Sequence, residues 1–161
     1  MGGGGLALRV AATWALARAG FSDTELGAGV QGRVLGVADM DGDGTLDVVT
    51  ASADRFTVAY NTAEGFVATD SGADGSVAAV AALALADLDG DGAADVLLAA
   101  GASLQIWQVD GDMTAPLNLR WETSGDSGAG CLDVFDFNGD GLADFFAGRP
   151  EEDLLWRSRG T

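Results

Sequence analysis

The sequence predicts an all-β fold, assembled radially from a repeated unit of 48 or 49 residues. Three observations carry this reading. An acidic nonapeptide of pattern D-x-[DN]-G-D-G-x-x-D occurs three times, with its first Asp at Asp39, Asp87 and Asp136. Each copy runs into a short apolar stretch: Val48-Val49, Val96-Leu97-Leu98 and Phe145-Phe146. Short strands punctuated by Gly-rich turns at even spacing are the signature of a radial repeat.

Within the first unit, strands are expected at about 33–38, 47–52, 55–60 and 65–70. The segments from Val34 to Ala38 and from Val48 to Ala51 are small and apolar on both faces, as in a strand buried on both sides. The third strand ends on an aromatic residue. Tyr60, Trp107 and Trp156 lie 21, 20 and 20 residues after the first Asp of their units. One aromatic per unit reads as packing between neighbouring units, because aromatic rings bury much area. A row of sugar-stacking platforms is the functional alternative, and Trp121, outside this register, is the better candidate for an exposed platform. Gly65-Phe66 opens the fourth strand. Units of about 33–76, 77–129 and 130–161 follow, the last stopping after its third strand.

Residues 1–19 form a separate N-terminal segment. Gly20-Phe21 precedes the first acidic loop as Gly65-Phe66 precedes the second, so residues 6–27 read as the last two strands of an earlier unit. Two alternatives stand beside this. Leu8, Ala11, Ala12 and Ala15 share one face of a helix over 6–19. Ala15-Leu16-Ala17 also resembles the cleavage site of a poor signal peptide.

Charge and composition exclude whole classes of chemistry. The chain has 25 Asp and Glu against 8 Arg, no Lys and no His, a formal net charge of −17. Without imidazole there is no His base, shuttle or metal ligand. A surface this acidic repels a phosphate backbone, so nucleic acid is not a partner. The longest apolar run, Val77 to Ala86, is far short of the about 18 residues that a membrane-spanning helix needs. Cys131 stands alone, which excludes an intramolecular disulfide, and its apolar neighbours predict a small buried residue on a strand.

The acidic loops are the candidate functional feature. In the first, Asp39, Asp41 and Asp43 alternate, so their side chains converge on one side of a tight turn. Gly44 permits the bend that turns the carbonyl of Thr45 inward, and Asp47 closes the cage from the following strand. An all-oxygen, highly charged, flexible cage suits Ca²⁺ better than Mg²⁺ or a transition metal. An EF-hand would need a Glu at position 12 between two helices. That position holds Thr50, Leu98 and Ala147, and the flanks read as strands. Asn138 replaces one carboxylate in the third loop, which predicts weaker binding there.

These motifs resemble the FG-GAP/VCBS repeat, the calcium-loop blade of integrin-α-type β-propellers, over about 20–161 and less closely over 6–19. The resemblance implies a partial β-propeller of about three four-stranded blades, with each loop joining the first two strands of its blade around a structural Ca²⁺. Carried over, the ligands are Asp39, Asp41, Asp43 and Asp47; Asp87, Asp89, Asp91 and Asp95; and Asp136, Asn138, Asp140 and Asp144. The carbonyls of Thr45, Ala93 and Leu142 complete them. Propellers close with about 4–8 blades, so about three imply part of a longer propeller, an open array or half of a dimeric ring. A swap of terminal strands would pair the strand near 20–27 with the sheet of 131–159.

The implied function is a non-catalytic, calcium-stabilised binding module, secreted or at the cell surface, presenting loops to a glycan or protein ligand. A purely structural scaffold within a larger extracellular protein and a Ca²⁺-dependent carbohydrate-active enzyme are the alternatives. The acidic residues outside the loops, such as Asp110, Asp112, Glu122, Glu151 and Glu152, show no pairing of the kind glycoside hydrolysis uses. Gly125-Asp126-Ser127-Gly128 resembles a serine-protease nucleophile motif but has no His to serve it. The G-x-G-x-x-G string from Gly27 to Gly32 leads into a strand instead of a helix. Of the 25 carboxylates, 11 lie in the three loops, and three Ca²⁺ would bring the net charge from −17 to −11. Much of the acidity is therefore a cation requirement.

Overall fold

Alternating apolar side chains on runs of five to seven residues, each bounded by Gly or acidic turns, set up strands whose two faces both seek burial. A computed structural model describes residues 34–71, 77, 79–109, 117–123 and 129–158. The strands are β1 (Val34–Ala38), β2 (Asp47–Ala51), β3 (Phe56–Thr62), β4 (Gly65–Asp70), β5 (Val80–Ala86), β6 (Asp95–Ala100), β7 (Ser103–Gln108), β8 (Asn118–Glu122), β9 (Cys131–Phe135), β10 (Asp144–Gly148) and β11 (Leu154–Trp156). No helix occurs among the described residues. The strands form three antiparallel sheets in sequential order: β1-β2-β3-β4, β5-β6-β7-β8 and β9-β10-β11. The fold is all-β, a partial propeller of two four-stranded blades and one three-stranded blade.

The first strands of the blades adjoin one another, β1 beside β5 and β5 beside β9, so the sheets are arranged radially. Gly36 on β1 allows the closest approach. A Cβ there would lie 2.7 Å from Leu83 Cδ2 and from Leu85 Cδ1 on β5.

Two apolar layers fill the spaces between blades. The first joins Val49, Phe56, Val58 and Tyr60 of blade 1 to Val96, Leu98 and Trp107 of blade 2. The second joins Leu97, Ala99 and Leu104 of blade 2 to Phe145 and Ala147 of blade 3. β6 is buried along its whole length and feeds both layers, with Val96 and Leu98 facing one way and Leu97 and Ala99 the other. That alternation is why the strand reads as an unbroken apolar run.

Several expectations are corrected here. In the sheet registers Val48 pairs with Ala59, Val96 with Trp107 and Phe145 with Trp156. Trp107 and Trp156 therefore share a position with Ala59, and both face the preceding blade. Tyr60 sits one residue later, and because side chains alternate along a strand it faces the following blade. Trp121 is not an exposed platform: it is half-buried between blades, edge-on to Trp156 at 5.2 Å and to Phe145 at 6.4 Å. Cys131 lies on a strand as expected but is exposed. Val37, expected in a strand covered on both faces, is 58% exposed.

Candidate metal centre

Each acidic loop joins the first two strands of its blade, running from Asp39 to Asp47, from Asp87 to Asp95 and from Asp136 to Asp144. The loops fold by one set of local hydrogen bonds, made three times. The first Asp is the template. Asp39 accepts from Gly42 N (2.7 Å) and Gly44 N (2.8 Å) on its two oxygens. Asp87 accepts from Gly90 N and Gly92 N at 2.6 and 3.0 Å. Asp136 accepts from Gly139 N and Gly141 N at 2.7 and 2.8 Å. These glycines all have positive φ, between 74° and 94°, which explains the paired Gly in each motif.

Positions three and five continue the pattern by accepting from the backbone two residues on. Asp41 accepts from Asp43 N at 3.2 Å, and Asp43 from both Thr45 N and Thr45 Oγ1 at 2.7 Å. Asp89, Asp91, Asn138 and Asp140 accept in the same manner at 2.9–3.2 Å. Asx turns of this kind fix the curl of a loop without using every lone pair of the side-chain oxygens.

The ninth residue anchors the loop to its sheet. Asp47 is fully buried, and its two oxygens accept from Met40 N and Asn61 N, both at 2.8 Å. Asp144, also fully buried, accepts from Phe137 N at 3.0 Å and Ser158 N at 2.8 Å. Asp95 accepts from Leu88 N at 3.0 Å. In blades 1 and 3 these donors lie on the loop and at or just past the end of the third strand, so one carboxylate ties three pieces of the blade together. The sequence indicated the recurrent spacing of this Asp but not its backbone partners. That signal was absent because the partners lie 7 and 14 residues away across the sheet.

The structure brings Asp39, Asp41 and Asp43 together, with one oxygen of each within 4.8 Å of the others. It does the same for Asp87, Asp89 and Asp95. Asp47 and Asp91 stand outside these groups, and the carboxylates of the third loop form no such group among the described residues. There Asn138 Nδ2 donates to Asp140 Oδ2 at 2.8 Å. Thr45 is exposed, Ala93 buried and Leu142 half-buried, each at the loop position expected for it. Loops 1 and 2 adjoin each other on one rim, where Ala94 N donates to the Asp39 carbonyl at 2.9 Å.

Burial, with like charge beside it, acts on two of the carboxyl groups. Burial, reinforced by Asp47, Asp43 and Asp39 and opposed by the Asp43 N–H, pushes the Asp41 carboxyl above its usual range. Burial, reinforced by Asp89, Asp91 and Asp87 and opposed by the Leu88 N–H, pushes Asp95 up to about 6. Asp43 and Asp136 lie below the usual range because the Thr45 hydroxyl and N–H, and the N–H groups of Gly141, Gly139, Asp140 and Asn138, stabilise their charged forms. An all-oxygen donor set, clustered and mutually repelling, fits a hard divalent cation.

A model of the FG-GAP-like repeat matches residues 39–98 and again 87–147. The chain belongs to the FG-GAP-like repeat family. Each match runs from the start of one acidic loop into the second strand of the next blade, so the FG-GAP-like repeat straddles a blade junction. No curated protein matches the chain significantly. Membership suggests a propeller-type binding or structural module. No helix among the described residues is long and apolar enough to cross a membrane. The N-terminal readings for 1–19 and 20–27, the 125–128 and 27–32 strings, Asp110 and Asp112 all lie outside the described residues.

Proposed function

We propose that this FG-GAP-like chain is a non-catalytic, calcium-stabilised propeller-type module that presents loops to a binding partner outside the cell. The observation carrying this reading is the convergence of three carboxylates in each of loops 1 and 2 on a repeated hydrogen-bond scaffold. Asp39, Asp41, Asp43 and Asp47 would hold one ion, with the carbonyl of Thr45. Asp87, Asp89, Asp91 and Asp95 would hold a second, with that of Ala93. Asp136, Asn138, Asp140 and Asp144, with that of Leu142, would hold a third more weakly. The ion supplies charge neutralisation, and extracellular calcium would fill sites with a Kd of about 10⁻⁴–10⁻³ M.

The ligand class read from the sequence is a glycan or a protein. The half-burial of Trp121 removes the best sugar-stacking platform, which favours a protein. Ring closure, by a further blade, a swapped terminal strand or a second copy, belongs to this reading, because Phe135, Phe137 and Leu155 on the outer side of blade 3 are 40–59% exposed.

Thermal unfolding in EDTA and in millimolar Ca²⁺ tests the metal claim. Calcium should raise the Tm by several degrees through preferential binding to the folded state. Asp41→Asn should shrink that rise while leaving the EDTA midpoint unchanged or slightly higher, because it removes a crowded charge. A Tm indifferent to calcium in the parent chain would sink the reading.

A further inference from the structure

The space between blades 2 and 3 differs from the space between blades 1 and 2. A cleft of about 240 Å³ opens there, walled by Ile106, Trp121, Phe145 and Trp156, with Leu88 and Arg157 also on its lining. The sheet registers identify the counterparts of these positions one blade earlier. Val58, Val96 and Trp107 correspond to Ile106, Phe145 and Trp156, and all three lie in closed core. Met40, fully buried, corresponds to Leu88.

Two exchanges distinguish this interface from the first. The Tyr60 ring, 1% exposed, fills the first interface, and its counterpart in blade 2 is Gln108. Gln108 donates from Nε2 to Asp89 Oδ2 and lines a space that adjoins the cleft, with Leu88, Ile106 and Trp121. The position of Gln105, whose Oε1 accepts from Trp107 Nε1 at 3.1 Å, is Leu154 in blade 3. Trp156 Nε1 is consequently buried without a hydrogen-bond partner among the described residues. The Trp156 ring packs against the second inter-blade layer, stacked on Phe145 at 5.8 Å and edge-on to Trp121 at 5.2 Å.

We propose that this cleft is a binding site for a small ligand bearing one planar apolar ring and a carboxylate. The volume lies below the about 300–1,000 Å³ of drug-sized pockets, so it suits a single ring. Three aromatic side chains offer stacked and edge-on contacts to that ring. Arg157 makes no ion pair among the described residues and presents a planar guanidinium suited to a carboxylate. A sugar would need more polar groups than this wall supplies. The site uses no ion of its own, but Leu88 and Ala143 belong to the second and third loops and Gln108 bonds Asp89, so calcium is held constant in its test.

Titration of the intact chain in constant calcium with phenylacetate, acetate and benzyl alcohol tests the proposal, read by tryptophan fluorescence and calorimetry. Phenylacetate should bind saturably at one site, with acetate giving no signal and benzyl alcohol at least tenfold weaker. Arg157→Gln should erase that tenfold preference. Gln108→Tyr, restoring the ring that closes the neighbouring interface, should abolish binding while the chain stays folded by circular dichroism. Failure of phenylacetate to saturate overturns the proposal. So does binding at unchanged affinity in Gln108→Tyr, or an acid preference that survives Arg157→Gln.

Discussion

The indole of Trp107 in blade 2 meets the ring of Phe56 in blade 1 edge-on, at 5.3 Å and 71°. Both are almost completely buried, at 4% and 0% exposure, so the contact lies at the centre of the first inter-blade layer. Edge-on pairs contribute about 0.5–1.5 kcal/mol beyond the area they bury.

Replacing Trp107 with Ala is therefore expected to cost about 3–5 kcal/mol, the range for large aromatic deletions in cores. It also leaves Gln105 Oε1 without its indole partner. A double-mutant cycle with Phe56→Ala, read by chemical denaturation, should return a coupling of about 0.5–1.5 kcal/mol. Strict additivity would show that the two blades are held by something else.

Asp47 should matter to folding even in the absence of calcium. Its buried carboxylate is the acceptor for Met40 N and Asn61 N, and Ala at this position leaves both donors unpaired. The expected loss in EDTA is about 2–6 kcal/mol, at about 1–3 kcal/mol for each of two orphaned groups. Asp47→Asn keeps one good acceptor and should lose roughly half as much. If Asp47→Ala matched the parent chain in EDTA, the carboxylate would be a metal ligand alone.

The pH dependence should change sign with calcium. Asp95 is raised in the folded state to about 6, so between its ordinary value and about 6 the folded chain binds more protons than the unfolded one. Stability in EDTA should therefore fall as pH rises from 4 to 7, by on the order of 1–3 kcal/mol. Asp41, also raised, acts in the same direction. In saturating calcium the order should reverse if Asp95 holds the second ion as proposed, because protonation would then remove a ligand. Denaturation series at pH 5 and 7, with Asp95→Asn as control, check this. An EDTA series that rises toward pH 7 and is unaffected by Asp95→Asn would contradict it.

The strand positions were legible because they depend on local signals. Alternating apolar residues located β2 and β3 within two residues, and the Asp-Gly spacing located all three loops. The faces of single residues were not legible in the same way. Tyr60 and Trp107 differ by one residue in spacing from their loops, and one residue in a strand is a change of side. Trp121 lies on an edge strand whose pairing slips between Ile106 and Trp107, and only the blade beyond covers it.

By itself, the sequence determined the repeat length, the all-β class and the loops, because hydrogen bonds inside nine residues and period-two burial need no distant partner. The tertiary structure decided which aromatic faces which blade, what Asp47 and Asp144 anchor, and that one inter-blade space is closed while the next is open. Those outcomes depend on side chains from different blades meeting across a layer, where Tyr60 against Gln108 and Gln105 against Leu154 change the packing without changing the repeat.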